Sequence, residues 1–178
     1  MISYLKVKIH DIDSEYYNSD KRRKHMAINV DHINPFLMAS IKILKDVCQI
    51  DAKIGTPSAK KEEFTDNSIV IMLGVTGAMK GQVLINFNNT VACDIASKMT
   101  MMQITELDEL GRSAVCELGN MILGHAATIF SSKGILIDIT PPTMCTGNVT
   151  FNNAYSASIC VPIIYEGDKE IEIYISVI

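Results

Sequence analysis

Apolar positions along this chain recur with two different periods. The longest helical pattern runs from about Glu106 to Ser132. Leu107, Ala114, Val115, Leu118, Met121, Ile122 and Ile129 fall on one stripe at roughly 100° per residue, as in a helix that buries one face. Asn120 points almost directly away from the centre of that stripe, and Glu117 lies at the border between the two faces. Their outer neighbours Ser113, Cys116, Gly124 and Ala127 are small, so another molecule can approach the carboxylate and the amide closely. Thr105 is the expected cap, Asp108 three residues on makes a partial capping box, and Gly134 closes the helix.

The other elements follow from similar patterns. Asn34-Pro35 reads as a helix start, with Asn as cap and Pro at the first helical position, and the helix extends to about Gln49. Gly55, Pro57 and Ser58 mark a break. Ser68 to Val75 is nearly all apolar, as expected of a buried strand. Gln82 to Phe87 alternates, with Val83, Ile85 and Phe87 on one face. Gly77 and Gly81 bracket the turn between them. Asn88-Asn89-Thr90 caps a second helix that reaches about Met102. Ile135 to Ile139, Tyr155 to Ile163 and Glu170 to Val177 are strand candidates, the last two joined by a hairpin turn at Glu166-Gly167-Asp168. This order predicts an α+β domain, with helices packed on one face of a largely antiparallel sheet. The Ile- and Val-rich C-terminal strands are expected to offer a free edge for pairing.

At 178 residues the chain suits one domain with a sizeable core. Residues 1–27 differ in character, with a polar stretch from Asp11 ending in Lys21-Arg22-Arg23-Lys24. They read as an extension or leader before a main domain over 28–178. A net charge of −4 argues against a nucleic-acid role, which usually leaves a basic footprint. No apolar run reaches the roughly 18 residues of a membrane span, and Lys6 and Lys8 interrupt the N-terminal stretch where a signal core would lie. Cys48, Cys93, Cys116, Cys145 and Cys160 are widely spaced and contain no CxxC pair, which suits reduced thiols in the cytoplasm. Cys116 has no sequence-adjacent base and reads as a small packing residue rather than a nucleophile. His125 falls on the core side of its helix, and His10, His25 and His32 have no metal-site spacing. The glycines Gly74, Gly77 and Gly81 read as turn residues, not as a phosphate-binding loop.

Three segments together resemble the CheC family of bacterial chemotaxis phosphatases, and within it the CheX members. They are Asn29-Val30-Asp31-His32-Ile33-Asn34-Pro35-Phe36 at the first helix, Gly74-Val75-Thr76-Gly77 with Lys80-Gly81 in the hairpin, and Glu117-Leu118-Gly119-Asn120-Met121-Ile122 in the long helix. The family motif is a small or acidic residue, then Glu, then Asn, with a Pro a little over twenty residues later. Ser113, Glu117 and Asn120 match the first three positions, and Pro141 and Pro142 fall near the fourth. The helix from Pro35 to Gln49 lacks a second Glu-x-x-Asn, as in CheX rather than CheC. The motif by itself is common: with this composition it arises by chance in about one chain of two, and Glu15-Tyr16-Tyr17-Asn18 also matches it.

The resemblance implies a two-component signalling phosphatase whose substrate is a phosphorylated CheY-like response regulator carrying an aspartyl phosphate. Asn120 would orient the attacking water, since a carboxamide offers that water both a donor and an acceptor. Glu117 would dock on the receiver's active-site Lys, and Ser113, Cys116 and Gly124 would line the contact. The chain needs no cofactor or metal of its own, because Mg2+ would come with the receiver. A homodimer is expected, and neither nucleic acid nor membrane is expected as a partner. The alternative is a non-catalytic adaptor of the same fold in chemotaxis or flagellar-switch signalling. A small-molecule sensor is more distant, as the sequence shows no sign of a polar-lined internal pocket.

Overall fold

The computed structural model describes residues 30–151 and 158–178. In chain order the elements are α1 (Val30–Cys48), β1 (Lys53–Ile54), β2 (Ser58–Lys60), β3 (Glu63–Phe64), β4 (Ser68–Gly77), β5 (Gly81–Asn88), α2 (Asn89–Thr100), α3 (Glu109–Ser132), β6 (Ile137–Ile139), β7 (Thr143–Thr146), β8 (Val149–Thr150), β9 (Ser158–Tyr165) and β10 (Lys169–Val177). Alternation sets the architecture. Antiparallel pairing places Ile71 opposite Ile85 and Leu73 opposite Val83, and Ile173 opposite both Ile85 and Val161. Every second side chain of the strands therefore faces the same core. The sheet order is β1-β9-β10-β5-β4-β6, with β2 also on β9 and β7 also on β4, while β3 and β8 form a separate pair. All these pairings are antiparallel.

The three helices share one core with the sheet residues Ile69, Ile71, Leu73, Val83, Ile85, Ile163 and Ile173. This is the expected α+β arrangement. The opposite face carries a smaller apolar cluster of Phe64, Val70, Leu84, Cys160 and Tyr174. Beside it Glu62 is only 4% exposed. Its carboxylate accepts bonds from the hydroxyls of Ser158 and Ser176 and from Gln82 Nε2. Such donors are what make a buried carboxylate tolerable. Within Lys60-Lys61-Glu62-Glu63 nothing in the sequence distinguishes this residue from a solvated charge.

Several expectations need correction. Asn34-Pro35 is not a helix start: α1 is already formed at Val30, and Pro35 sits inside it. An interior proline costs about 3 kcal/mol, but Ile33, Pro35, Phe36 and Leu37 are all buried and hold the turn in place. The C-terminal strands offer no free edge, since β10 lies between β9 and β5 and the outer side of β9 is occupied by β1 and β2. The strand expected at Ile135 begins at Ile137. Residues 155–157 of the expected Tyr155 strand lie outside the described residues, as do residues 1–27 and the boundary near Ile28. The cap of α2 and the glycine stop of α3 form as expected, whereas Thr105 does not cap α3, whose N-cap is Asp108. Asn88 Oδ1 accepts from Val91 N–H at 2.8 Å, and Gly134 takes φ +77° just past α3.

Gly119 fixes how closely α3 lies on the sheet. A Cβ there would stand 3.1 Å from Ile71 Cγ2 and 3.2 Å from Leu73 Cδ1, closer than ordinary van der Waals contact. Gly119→Val is expected to destabilise the protein by about 1–3 kcal/mol through overpacking, which a denaturant titration reads as a lower midpoint at unchanged slope.

Candidate active site

The site is built on α3. Its N-cap is Asp108, whose Oδ1 accepts from Gly111 N–H at 2.8 Å. Thr105, the expected cap, lies in the preceding turn region, and Leu107, just outside the helix, is buried. Arg112 Nε donates to the Leu107 carbonyl at 3.0 Å and ties the loop to the first turn. At the far end Phe130 meets Phe36 of α1 edge-on, with ring centroids 5.2 Å apart. Gly111, Gly119, Leu123, Ala126 and Phe130 are buried in addition to the expected Ala114, Val115, Leu118 and Ile122, whereas Met121 and Ile129 are half-buried.

The buried face is therefore rotated relative to the stripe read from large apolar residues alone. Glu117, expected at the border, is exposed, and Asn120, expected to point squarely outward, is half-buried. The two side chains remain neighbours one turn apart. Asn120 Nδ2 lies 3.5 Å from Glu117 Oε2, at the outer limit of a hydrogen bond. Among the described residues this is the one hydrogen bond their side chains make, so both groups keep their capacity for an incoming partner.

The ridge around them is low. Ser113 is exposed, Cys116 and Gly124 are half-buried, and a Cβ on Gly124 would meet no atom within 4 Å. Along one flank, Glu109, Arg112, Ser113, Cys116, Met144 and Thr146 line a cleft of about 380 Å³ between α3 and β7. Burial raises the Cys116 thiol above its ordinary pKa, which suits a packing residue and not a thiolate nucleophile. All five cysteines are free. His125 is half-buried. Pro141 and Pro142 lie in the short connection between β6 and β7, which both pair with β4. There Thr140 N–H donates to the Gly74 carbonyl at 3.0 Å, and Thr140 Oγ1 accepts from Gly74 N–H at 2.8 Å. Among the described residues no group of His, Cys, Asp and Glu could hold a metal ion, and no helix is long and apolar enough to cross a membrane.

Residues 69–164, which span β4 through the α3 ridge into β9, match the family model of the chemotaxis phosphatase CheX. The chain belongs to the CheX family. A CheX relative from Thermotoga maritima, a CheY-P phosphatase, is 30% identical over 146 residues, 82% of this chain and 94% of the relative. A CheC-like superfamily protein from a Shewanella species superposes with a TM-score of 0.76 at 30% identity, covering 85% of this chain and 99% of the other. The CheX–CheY–BeF3–Mg2+ complex from Borrelia burgdorferi contains a chain with a TM-score of 0.72 at 28% identity, covering 84% of this chain and 99% of that one.

Proposed function

We propose that this protein hydrolyses the aspartyl phosphate of a CheY-like response regulator. The observation that carries the reading is the pair of neighbouring side chains, exposed Glu117 and half-buried Asn120, on a low ridge of a CheX-family chain. Such a pair cannot enclose a small substrate, but it can enter the reaction centre of another protein. Hydrolysis of an acyl phosphate needs a water in line with the leaving carboxylate. Phosphoryl transfer asks the protein mainly for positioning and charge stabilisation. The Asn120 carbonyl oxygen accepts a hydrogen bond from the water while its N–H2 is free to donate, so one amide aims the nucleophile. Glu117 meets the receiver's active-site lysine and sets the register of docking. Ser113, Cys116 and Gly124 keep the ridge low enough for both to reach in. Mg2+ comes with the receiver, and this chain contributes neither a metal nor a covalent nucleophile.

The reaction belongs in the cytoplasm, where reduced cysteines and receiver domains coexist. Homodimerisation is part of the reading on grounds of resemblance. It would use a surface other than the interior strands β9 and β10.

The test is to add the protein to a panel of receivers phosphorylated by a small-molecule donor and to follow loss of phosphate. Accelerated loss for at least one receiver is expected. Tight binding to a phosphorylated receiver with no acceleration would instead assign the protein to the adaptor class.

A further inference from the structure

Large apolar side chains rarely stay exposed together without a use. Among the described residues six are exposed, and three of them, Met101, Met102 and Leu110, fall within ten residues at one end of the helix layer. Met101 and Met102 follow the end of α2, and Leu110 is the second residue of α3. Leu110 is 45% exposed and Met102 58%. Leu110 is also in helical register with the site: Ser113, Glu117, Asn120 and Gly124 follow at spacings of three, seven, ten and fourteen residues, which share one face. Seven residues of helix place it about 10 Å along the axis from Glu117. A single docked domain, covering about 800 Å² on each partner, spans that distance easily. Charge adds a second constraint. Residues 101–132 carry Glu106, Asp108, Glu109 and Glu117 against one basic residue, Arg112, whose Nε is already bonded to Leu107.

We infer that Leu110, with Met102 in the short connection eight residues before it, is an apolar docking step that seats an apolar patch with a basic rim on the same receiver, and that this step selects which receivers the ridge serves. The inference rests on the reading of the ridge as the receiver-facing surface. Leu110 takes no part in the chemistry. It lies two turns from Glu117 and three from Asn120, so it acts on affinity and leaves the water-positioning step alone.

The experiment measures binding of the full-length protein to a receiver activated with beryllofluoride and Mg2+, alongside steady-state hydrolysis with the phosphorylated receiver. Leu110→Asp should raise Kd and KM roughly 10- to 100-fold, the range expected for losing one buried leucine on association. The kcat at saturating receiver should stay within about twofold. Leu110→Met should restore near-normal affinity, and Met102→Gln should weaken binding by a smaller factor. An unchanged Kd in Leu110→Asp, with the helical circular-dichroism signal intact, overturns the inference. So does a fall in kcat at unchanged Kd. A shift from dimer to monomer in sedimentation with receiver affinity preserved assigns the patch to a second copy of this chain and also overturns it. Binding that depends on Leu110 in a wild-type protein that hydrolyses no receiver would keep the docking step while removing the phosphatase reading. Failure of the wild-type protein to bind any receiver of the panel removes both.

Discussion

Asn120→Ala is expected to lower kcat for receiver dephosphorylation by about 10²–10³-fold, the range seen when one positioned hydrogen-bonding group is removed from a transition state, equivalent to roughly 3–4 kcal/mol. KM should change little. The amide is half-buried on the ridge and makes one long contact, 3.5 Å to Glu117, so removing it strands no strong internal partner. Alanine is also the better helix former, by a few tenths of a kcal/mol, so thermal stability should hold or rise slightly. That combination separates the water-positioning role from a structural one. Asn120→Gln keeps the carboxamide but moves it by one methylene, and positioning effects are steep over that distance. It should recover only part of the loss. A variant that keeps full turnover at saturating protein would show that the amide does not aim the nucleophile.

The helix that bears the site was legible because Leu107, Val115, Leu118 and Ile122 repeat at helical spacing, and its end because Gly134 is the ordinary residue for a left-handed stop. Its start was misread because Thr105 and Asp108 both have capping side chains. The choice between them was made by tertiary packing, which pulls Leu107 into the core just ahead of the first turn. The orientation of the helix was misread for a different reason. Gly111, Gly119 and Ala126 are small and add little to an apolar stripe, yet they face inward because small residues let α3 lie close to the sheet and its neighbours. Omitting them turned the expected face and exchanged the relative exposure of Glu117 and Asn120.

The two-residue strands β1, β3 and β8 are too short to show a period, and their pairing depends on partners far away in the chain. The free edge expected of the C-terminal strands is absent because two short strands, β1 and β2, occupy the outer side of β9. The site itself did not stand out by composition: Glu-x-x-Asn also occurs at Glu15–Asn18. Placement on the polar ridge of an amphipathic helix, together with the resemblance carried by the hairpin and first helix, singles out Glu117 and Asn120.

The carboxylate should behave differently from the amide. Glu117 is exposed, and neither Ser113 four residues before it nor Met121 four residues after carries a charge. It therefore forms no intrahelical ion pair, and replacing it should alter stability by less than about 0.5 kcal/mol. On docking, its charge leaves water and meets the receiver's lysine. Removing one member of such a pair leaves the other charge buried and unpaired, which costs about 2–5 kcal/mol. Glu117→Ala should accordingly raise KM and the Kd for an activated receiver by at least roughly 30-fold, with kcat at saturation changed only a few-fold. Glu117→Lys sets like charges against each other and should abolish detectable binding. Because the pair is electrostatic, added salt should weaken the wild-type complex more than the Glu117→Gln complex, which keeps the shape and loses the charge. Should Glu117→Ala instead depress kcat while the complex stays as tight as wild type, the carboxylate would belong to the chemical step alongside Asn120 and not to docking. Two neighbouring side chains on one turn of helix would then share a single role, and their double variant would lose less than the product of the single losses.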